Sequence, residues 1–197
     1  MNLAINMMTL NGKTAFIKET LDSVYDYSNE IIVYDTGSTD GTVEFVKDRF
    51  PKAIIKQFDI QHLGEIWTGS EKDRELTRLL NQMKKETKSE WILKIDDDEL
   101  FPDVLMEEIC DVIKNGGDNI VSIPFIHISK KTSQSGLIIK RLFRNTDAVS
   151  WSGIYGTETL ALCGSRIRSH KCYTLSNHFY HLGELRKDNN RKHDYQF

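Results

Sequence analysis

No stretch of about 18 apolar residues occurs in the 197-residue chain, so no helix is expected to span a membrane. A basic excess is also missing: 26 Lys and Arg stand against 29 Asp and Glu, for a formal charge of −3. Nucleic-acid binders usually carry a basic surplus or stripe, so no nucleic-acid partner is expected. Cysteine is scarce, with Cys110, Cys163 and Cys172 an odd set without metal-type spacing. That argues against a disulfide framework and for a reducing, cytoplasmic compartment. The opening MNLAINMMTLNGK has no basic segment before its apolar stretch and reads as a first strand rather than a signal peptide. No repeat, low-complexity tract or Pro-rich linker interrupts the chain. What remains is globular in composition, 39% hydrophobic and 28% charged, enough to build a core.

The first half alternates between strand and helix periodicity. Leu3 to Thr9 is an apolar strand, broken at Asn11-Gly12, after which Ile17, Leu21, Val24 and Tyr25 recur at helical spacing. Glu30 to Asp35 (EIIVYD) is a second strand, stopped at Thr36-Gly37-Ser38. Val43, Val46 and Phe50 mark a helix that Pro51 ends, and Ala53 to Phe58 is a third strand. Leu76, Leu79, Leu80 and Met83 mark a longer helix, and Trp91 to Ile95 is a fourth strand running into Asp96-Asp97-Asp98-Glu99. Pro102 is placed as the first residue of a helix carrying Leu105, Ile109, Val112 and Ile113. This alternation predicts an α/β fold with a mostly parallel central sheet. After Gly116-Gly117 the pattern changes. Asn119 to Ile128, Leu137 to Arg144, Thr157 to Leu162 and Lys171 to His181 read as strands of a mixed or antiparallel C-terminal extension. The expectation is a single domain over 1–197, with halves 1–117 and 118–183 and a charged tail 184–197.

In a parallel α/β sheet, ligands bind outside the carboxyl ends of the strands. Thr9-Leu10-Asn11, the run from Asp35 to Gly41, and Asp96 to Glu99 all fall at such ends. Four adjacent carboxylates repel one another unless solvated or paired with cations. Mg²⁺ and Mn²⁺ prefer oxygen ligands and often combine one or two carboxylates with substrate phosphates. Continued strand alternation would point Asp96 and Asp98 one way and Asp97 the other. The alternative is an acidic helix N-terminus before Pro102. Ser38, Thr39 and Asp40 are good N-caps for the following helix, but capping does not account for Asp35, whose carboxylate suits a nucleobase N–H or a ribose hydroxyl.

EIIVYDTGSTDGTVEFVKDRFP (Glu30 to Pro51), followed after 38 residues by EWILKIDDDELFP (Glu90 to Pro102), resembles glycosyltransferase family 2. The likeness is greatest to the branch reading "E-I-V-V-x-D-T-G-S-T-D-G-T" and then "W-I-L-x-L-D-A-D-E". IKRLFRN (Ile139 to Asn145) is similar to its "R-L-F-R-N" strand. WSGIYGTETL (Trp151 to Leu160) is similar to its "G-x-x-H-E-x-L" stretch, and His181-Leu182-Gly183 to its "H-x-G". The resemblance implies a Rossmann-like GT-A fold and transfer of a sugar from a nucleotide-diphosphate donor, a UDP-sugar by default, with inversion. It implies that Thr9 lines the base pocket through its backbone and that Asp35 contacts the base. Asp96 and Asp97 then lie beside the donor, and Asp98, the second carboxylate of the D-x-D pattern, ligates Mn²⁺ or Mg²⁺ with Asp96. Arg74 stands where the family has "A-R-N", facing the diphosphate or else solvent. The chain departs from the pattern at Leu10-Asn11-Gly12 for "K-N-E", at Asp73-Arg74-Glu75 for "A-R-N", and at Thr157 for the histidine before Glu158.

Inverting transfer needs a base on the acceptor side, and Glu158 is the candidate, with Asp97 and Glu99 in reserve. His181 is a candidate third metal ligand or phosphate contact, with His178 and His170 competing for the role. Segment 60–72, with His62, Gly64, Trp67 and Gly69, is either a lid over the donor or a surface loop. Segment 129–136 is either an acceptor loop or a hairpin tip. The rival readings are a sugar-phosphate nucleotidyltransferase, against which TLNGKTAF lacks a glycine-rich phosphate loop, and a catalytically inactive nucleotide-sugar-binding module. A Ca²⁺ loop of the EF-hand type is excluded, since Phe101 stands where its glycine is required. The acceptor class stays open among a saccharide, a lipid-linked sugar and a protein, and a peripheral membrane contact goes with the second.

Overall fold

The computed structural model describes residues 2–64, 69–153, 159–167 and 172–185. The first half runs β1 (Leu3–Thr9), α1 (Ile17–Val24), β2 (Glu30–Asp35), α2 (Thr42–Arg49), β3 (Ala53–Gln57), α3 (Glu71–Glu86), β4 (Trp91–Asp96), β5 (Glu99–Leu100) and α4 (Asp103–Lys114). The second half adds β6 (Ile120–Ile128), β7 (Ser133–Arg144), β8 (Val149–Trp151), β9 (Leu160–Leu162), β10 (Ser165–Arg166), β11 (Tyr173–Thr174) and β12 (Phe179–His181). The main sheet has the order β3-β2-β1-β4-β7-β6-β12-β5, with β11 also on β6. The first four of these strands are parallel, β7 is antiparallel to both its neighbours, and β12 is parallel to β6. This is the mostly parallel sheet with a mixed extension that the periodicity predicts.

The inner strands are near-continuous apolar runs because both faces are covered. Leu3, Ile5 and Met7 of β1 pack with Ile17, Leu21 and Val24 of α1 and with Leu105, Met106 and Ile109 of α4. On the other face, Ile32 and Tyr34 meet Leu79 and Met83 of α3, while Ala4 and Ile92 meet Leu80 and Trp151. A small antiparallel sheet, β10-β9-β8, sits on that side. Asn81 of α3 clamps it, donating to the Trp151 carbonyl and accepting from its N–H, both at 2.9 Å.

Several local expectations are corrected. Pro102 is the N-cap of α4 rather than its first residue. Lys171 to His181 is not one strand: its described part holds β11 and β12, joined by a bend. β7 starts at Ser133, four residues before the apolar pattern at Leu137, because its polar end is exposed in a hairpin, where no buried face imposes alternation. Of segment 129–136, residues 129–132 are that hairpin's tip, closed by Ser129 N–H on the Thr132 carbonyl at 2.9 Å, and the rest belongs to β7.

Candidate functional site

Three strand ends meet at one rim. In the parallel registers Thr9 lies beside Asp35, and Met8 beside Asp96. The loops that follow are stitched together: Asn11 N–H donates to Ser38 Oγ (2.7 Å), Thr39 N–H to Asn11 Oδ1 (2.9 Å) and Thr14 N–H to Asp40 Oδ2 (2.9 Å). Asp40 also accepts from the Thr42 N–H at the start of α2, but the N-cap of that helix is Gly41, without a side-chain cap, and not Ser38, Thr39 or Asp40. Gly41 stands at φ 83°, a left-handed conformation that favours glycine.

Asp35 is fully buried at the end of β2. Its Oδ2 accepts from Gly37 N–H (3.3 Å) and Ser38 N–H (3.1 Å), while Oδ1 has no hydrogen-bond partner among the described residues. A buried carboxylate oxygen left without a donor costs free energy, which a ligand N–H or O–H arriving there would recover. Thr9 is engaged on both sides. Its carbonyl accepts from Thr36 N–H and Thr36 Oγ1, each at 2.9 Å, and its hydroxyl donates to Asp97 Oδ2 at 2.6 Å. Its carbonyl therefore meets a base N–H only by sharing or giving up a bond to Thr36. A Cβ on Gly12 would lie 2.4 Å from Thr9 Oγ1 and 3.1 Å from Asp97 Oδ2, so the glycine at this departure from the family pattern leaves room for that pair.

The acidic run does not continue the strand. Residues 97 and 98 form a turn, and the four carboxylates separate by partner. Asp96 pairs with Lys94 and, at 2.6 Å, with Arg141, which also holds Glu99 at 2.6 Å. Burial opposes the charge on Asp96, but Arg141 and Lys94 override it and hold its carboxyl well below the usual carboxylate range. A third of the Asp96 side chain stays open at the rim, where solvent screens part of this pairing. Burial, helped by the Asp96 charge, pushes Glu99 up to about 8 against the pull of Arg141. Asp97 turns back to Thr9. Asp98, 5% exposed, faces His181, with Oδ1 3.6 Å from Nε2. Asp98 and Glu99 are thus built into the rim and are not an acidic helix N-terminus.

His181 reaches this place because β12 pairs antiparallel with β5, setting His181 opposite Glu99. Burial lowers its pKa, against the attraction of Asp98 and Asp96. Its other nitrogen, Nδ1, lies 2.7 Å from Nδ1 of His127 on β6. Gly183 completes the pocket: a Cβ there would stand 2.9 Å from His181 Cε1 and 3.2 Å from Asp98 Oδ2. His178 packs edge-on against Tyr180.

No group of three metal-ligating side chains is preassembled among the described residues. Asp98 and His181 nevertheless suit two positions on one divalent ion. Donors each about 2.1 Å from a metal sit roughly 3 Å apart, and diphosphate oxygens supply the other ligands of such ions. Asp96, expected as a ligand beside Asp98, has one oxygen on Lys94 and the other on Arg141. Arg74 lies elsewhere on the rim. On the first turn of α3 it donates to the Gly69 carbonyl and lines a cleft of about 410 Å³ with Asp59, His62 and Arg78. The cleft adjoins the second loop, since Gln61 donates to the Thr36 carbonyl at 2.7 Å. Glu158, His170 and Trp67 lie outside the described residues. Sequence reasoning missed Lys94, Arg141 and His127 as parts of the site. A lysine inside the apolar run WILKI was the available signal for the first, and Arg141 lay inside a quoted motif without a role.

The family model for glycosyl transferase family 2 matches residues 5–176. Over 85 residues the chain is 41% identical to the SPbeta prophage-derived glycosyltransferase SunS of Bacillus subtilis (strain 168), and equally to glycosyltransferase SunS of Bacillus phage SPbeta. Those matches cover 43% of this chain and 17% of each relative. Among solved structures, S. aureus TarS 1–349 is similar with a TM-score of 0.59 at 14% identity, covering 92% of this chain and 60% of that one. The same TarS segment in complex with UDP-GlcNAc gives 0.62 at 15% identity, covering 92% and 58%. The chain therefore spans a part of each of these proteins, and the structural likeness is one of fold, the GT-A fold.

Proposed function

The chain belongs to glycosyl transferase family 2, and we propose that it transfers a sugar from a UDP-sugar to an acceptor hydroxyl, with inversion and with the help of a divalent cation. The observation that carries this reading is the shared rim: Asp35, with a buried oxygen awaiting a donor, ends β2, and Asp98 of the Asp98–His181 pair follows β4, the two strands that flank β1. In this reading the nucleoside lies over β1 and β2 and its diphosphate over β4, a layout that the sheet order supports. The UDP-GlcNAc complex of the similar TarS fold supports a UDP-sugar as donor.

In this proposal Asp35 Oδ1 accepts from the uracil N–H or a ribose hydroxyl. Asp98 and His181 hold Mn²⁺ or Mg²⁺, which when bound offsets the charge growing on the leaving diphosphate. Lys94 and Arg141 keep Asp96 ionised and fixed. Arg74 faces the donor from the neighbouring cleft. The acceptor oxygen bonds to the anomeric carbon as the bond to the diphosphate breaks, and the acceptor proton passes to Glu158. The acceptor is a saccharide, a lipid-linked sugar or a protein side chain. No helix of the described residues is long and apolar enough to cross a membrane, and a lipid-linked acceptor would be met at the bilayer surface. A cytoplasmic setting belongs to the same proposal, supported by the three free thiols.

Calorimetric titration of UDP in Mn²⁺ and then in EDTA tests the donor site. Binding that needs Mn²⁺ and is lost in Asp98→Ala supports it; equal binding in EDTA removes the cation from the proposal. Glu158→Gln should leave that binding intact and slow transfer by about 10²–10⁴-fold. Binding without turnover of any UDP-sugar would favour the inactive module.

A further inference from the structure

We propose that the tip of the β6–β7 hairpin docks on an anionic lipid bilayer and so turns the rim toward an acceptor carried in that bilayer. The orientation toward an acceptor rests on the reading of the rim as a donor site; the docking itself does not.

Charge is divided unevenly along the chain. Residues 1–118 carry 24 Asp and Glu against 14 Lys and Arg, whereas residues 119–197 carry 5 against 12. The formal charge of −3 is thus −10 in the first part and +7 in the second, an asymmetry that marks a surface for an anionic partner. From Asn119 to Thr146 no acidic residue occurs. Three of the five cations in that stretch are engaged: Lys140 with the Ile167 carbonyl, Arg141 with Asp96 and Glu99, and Arg144 with Glu90. The other two, Lys130 and Lys131, stand exposed on the hairpin tip with no carboxylate partner among the described residues.

The backbone sets this tip at the right end of the molecule. β6 is antiparallel to β7, and β7 to β4, so the carboxyl end of β6 lies at the same pole as the rim. β12 leaves β6 at His127 and β4 leaves β7 at Leu142. Beyond these points the two strands pair only with each other among the described residues, and residues 130–136 are all exposed. Lys130 follows His127 by three residues, which puts the tip about 10 Å past the contact of His127 with His181.

One face of this arm is apolar. Pro124, Ile126 and Ile128 alternate along β6, Ile138 of β7 lies opposite Pro124, and Tyr180 of β12 lies beside Ile126. Ile138 is 47% exposed and the others are half-buried. This combination decides the partner. A soluble polyanion calls for cations alone, whereas a bilayer surface takes lysine ammonium groups at its phosphates and aliphatic side chains beneath them. The acidic first part of the chain faces water in this pose, where salt screens its repulsion from the lipid.

The test is sedimentation of the full chain with vesicles of phosphatidylcholine and phosphatidylglycerol in equal parts, and with phosphatidylcholine alone. The protein should sediment with the mixed vesicles and not with the neutral ones. It should be released as salt rises from about 0.1 M to about 1 M, where the screening length falls to about 3 Å. Replacing both tip lysines, Lys130→Gln with Lys131→Gln, should weaken binding about 25-fold, at about fivefold per lysine. Ile138→Ser should weaken it about fivefold. No binding by wild type, or equal binding to neutral vesicles, would overturn the proposal. Loss in the lysine variant with none in Ile138→Ser would assign the tip to a soluble polyanion instead. A wild-type dimer in sedimentation velocity that Ile138→Ser dissociates would make the face a contact between copies, which also overturns it. All three positions are exposed, so both variants should keep the wild-type circular dichroism spectrum; if Ile138→Ser loses it, the lysine variant decides alone. UDP binding, measured without vesicles, should be unchanged in both. Wild type that binds vesicles but no UDP would remove the donor-site reading and leave the docking surface, and wild type that binds UDP but no vesicles would do the reverse.

Discussion

Asp35 and Gly183 show how single atoms shape this rim. Asp35→Asn keeps an oxygen for the Gly37 and Ser38 N–H groups but puts an NH₂ where Oδ1 awaits a donor. A hydrogen bond to a charged group is worth about 1.5–3 kcal/mol, so UDP affinity should fall roughly 10–100-fold with the melting point nearly unchanged, as titration calorimetry and thermal melts will report. Gly183→Ala brings a methyl within 2.9 Å of the His181 ring. It should abolish the difference between UDP binding in Mn²⁺ and in EDTA while the circular dichroism spectrum is kept. Asp35 was legible as a candidate because a carboxylate closing an apolar strand stands out. The role of Gly183 was not, since a glycine in sequence does not reveal which side chains press against it.

At the scale of elements, the helices and parallel strands of the first half were legible nearly to their ends. Each buries a face, and burial imposes periodicity on the residues. The short strands β5, β8, β11 and β12 are two or three residues long, too brief for any period to register. Their placement depends on side-chain clamps such as Glu108 of α4, which accepts from Ser176 N–H (2.7 Å), Asn177 N–H (2.9 Å) and Asn177 Nδ2 (2.9 Å). Burial works to raise its pKa, but these bonds outweigh it and leave the carboxyl below its ordinary value. Its stabilising effect is therefore full above the unfolded-chain value, near 4.3, and lost as pH falls through the lower folded value. Glu108→Gln should cost about 1 kcal/mol at pH 7, a figure reduced for solvent access. In denaturant melts the gap to wild type should close below about pH 4; a gap that persists there would show that charge is not its origin.

For the molecule as a whole, one main sheet runs through both halves of the chain. β4 pairs with β7, and Arg141 from the second half holds Asp96 and Glu99 of the first. The full chain should unfold in one calorimetric transition. A fragment of residues 1–117 should show none, because it exposes the β4 edge and leaves the Asp96–Glu99 carboxylates without their arginine. Breaking a buried pair by removing one partner costs about 3–5 kcal/mol, a large share of the stability of a domain this size. Two separate transitions in the full chain would contradict the single-domain reading.

Local chemistry in the sequence determined the alternation of strand and helix, the parallel first half, and the polar residues at its strand ends. Those features follow from neighbours a few positions apart, where burial and turn formation act. Which carboxylate does what was decided by the tertiary structure. Asp96 meets Arg141, Asp97 meets Thr9, and Asp98 meets His181 only after β7 settles against β4 and β12 against β5. Partners so far apart along the chain leave no local pattern, because sheet order and register, rather than spacing, bring them together.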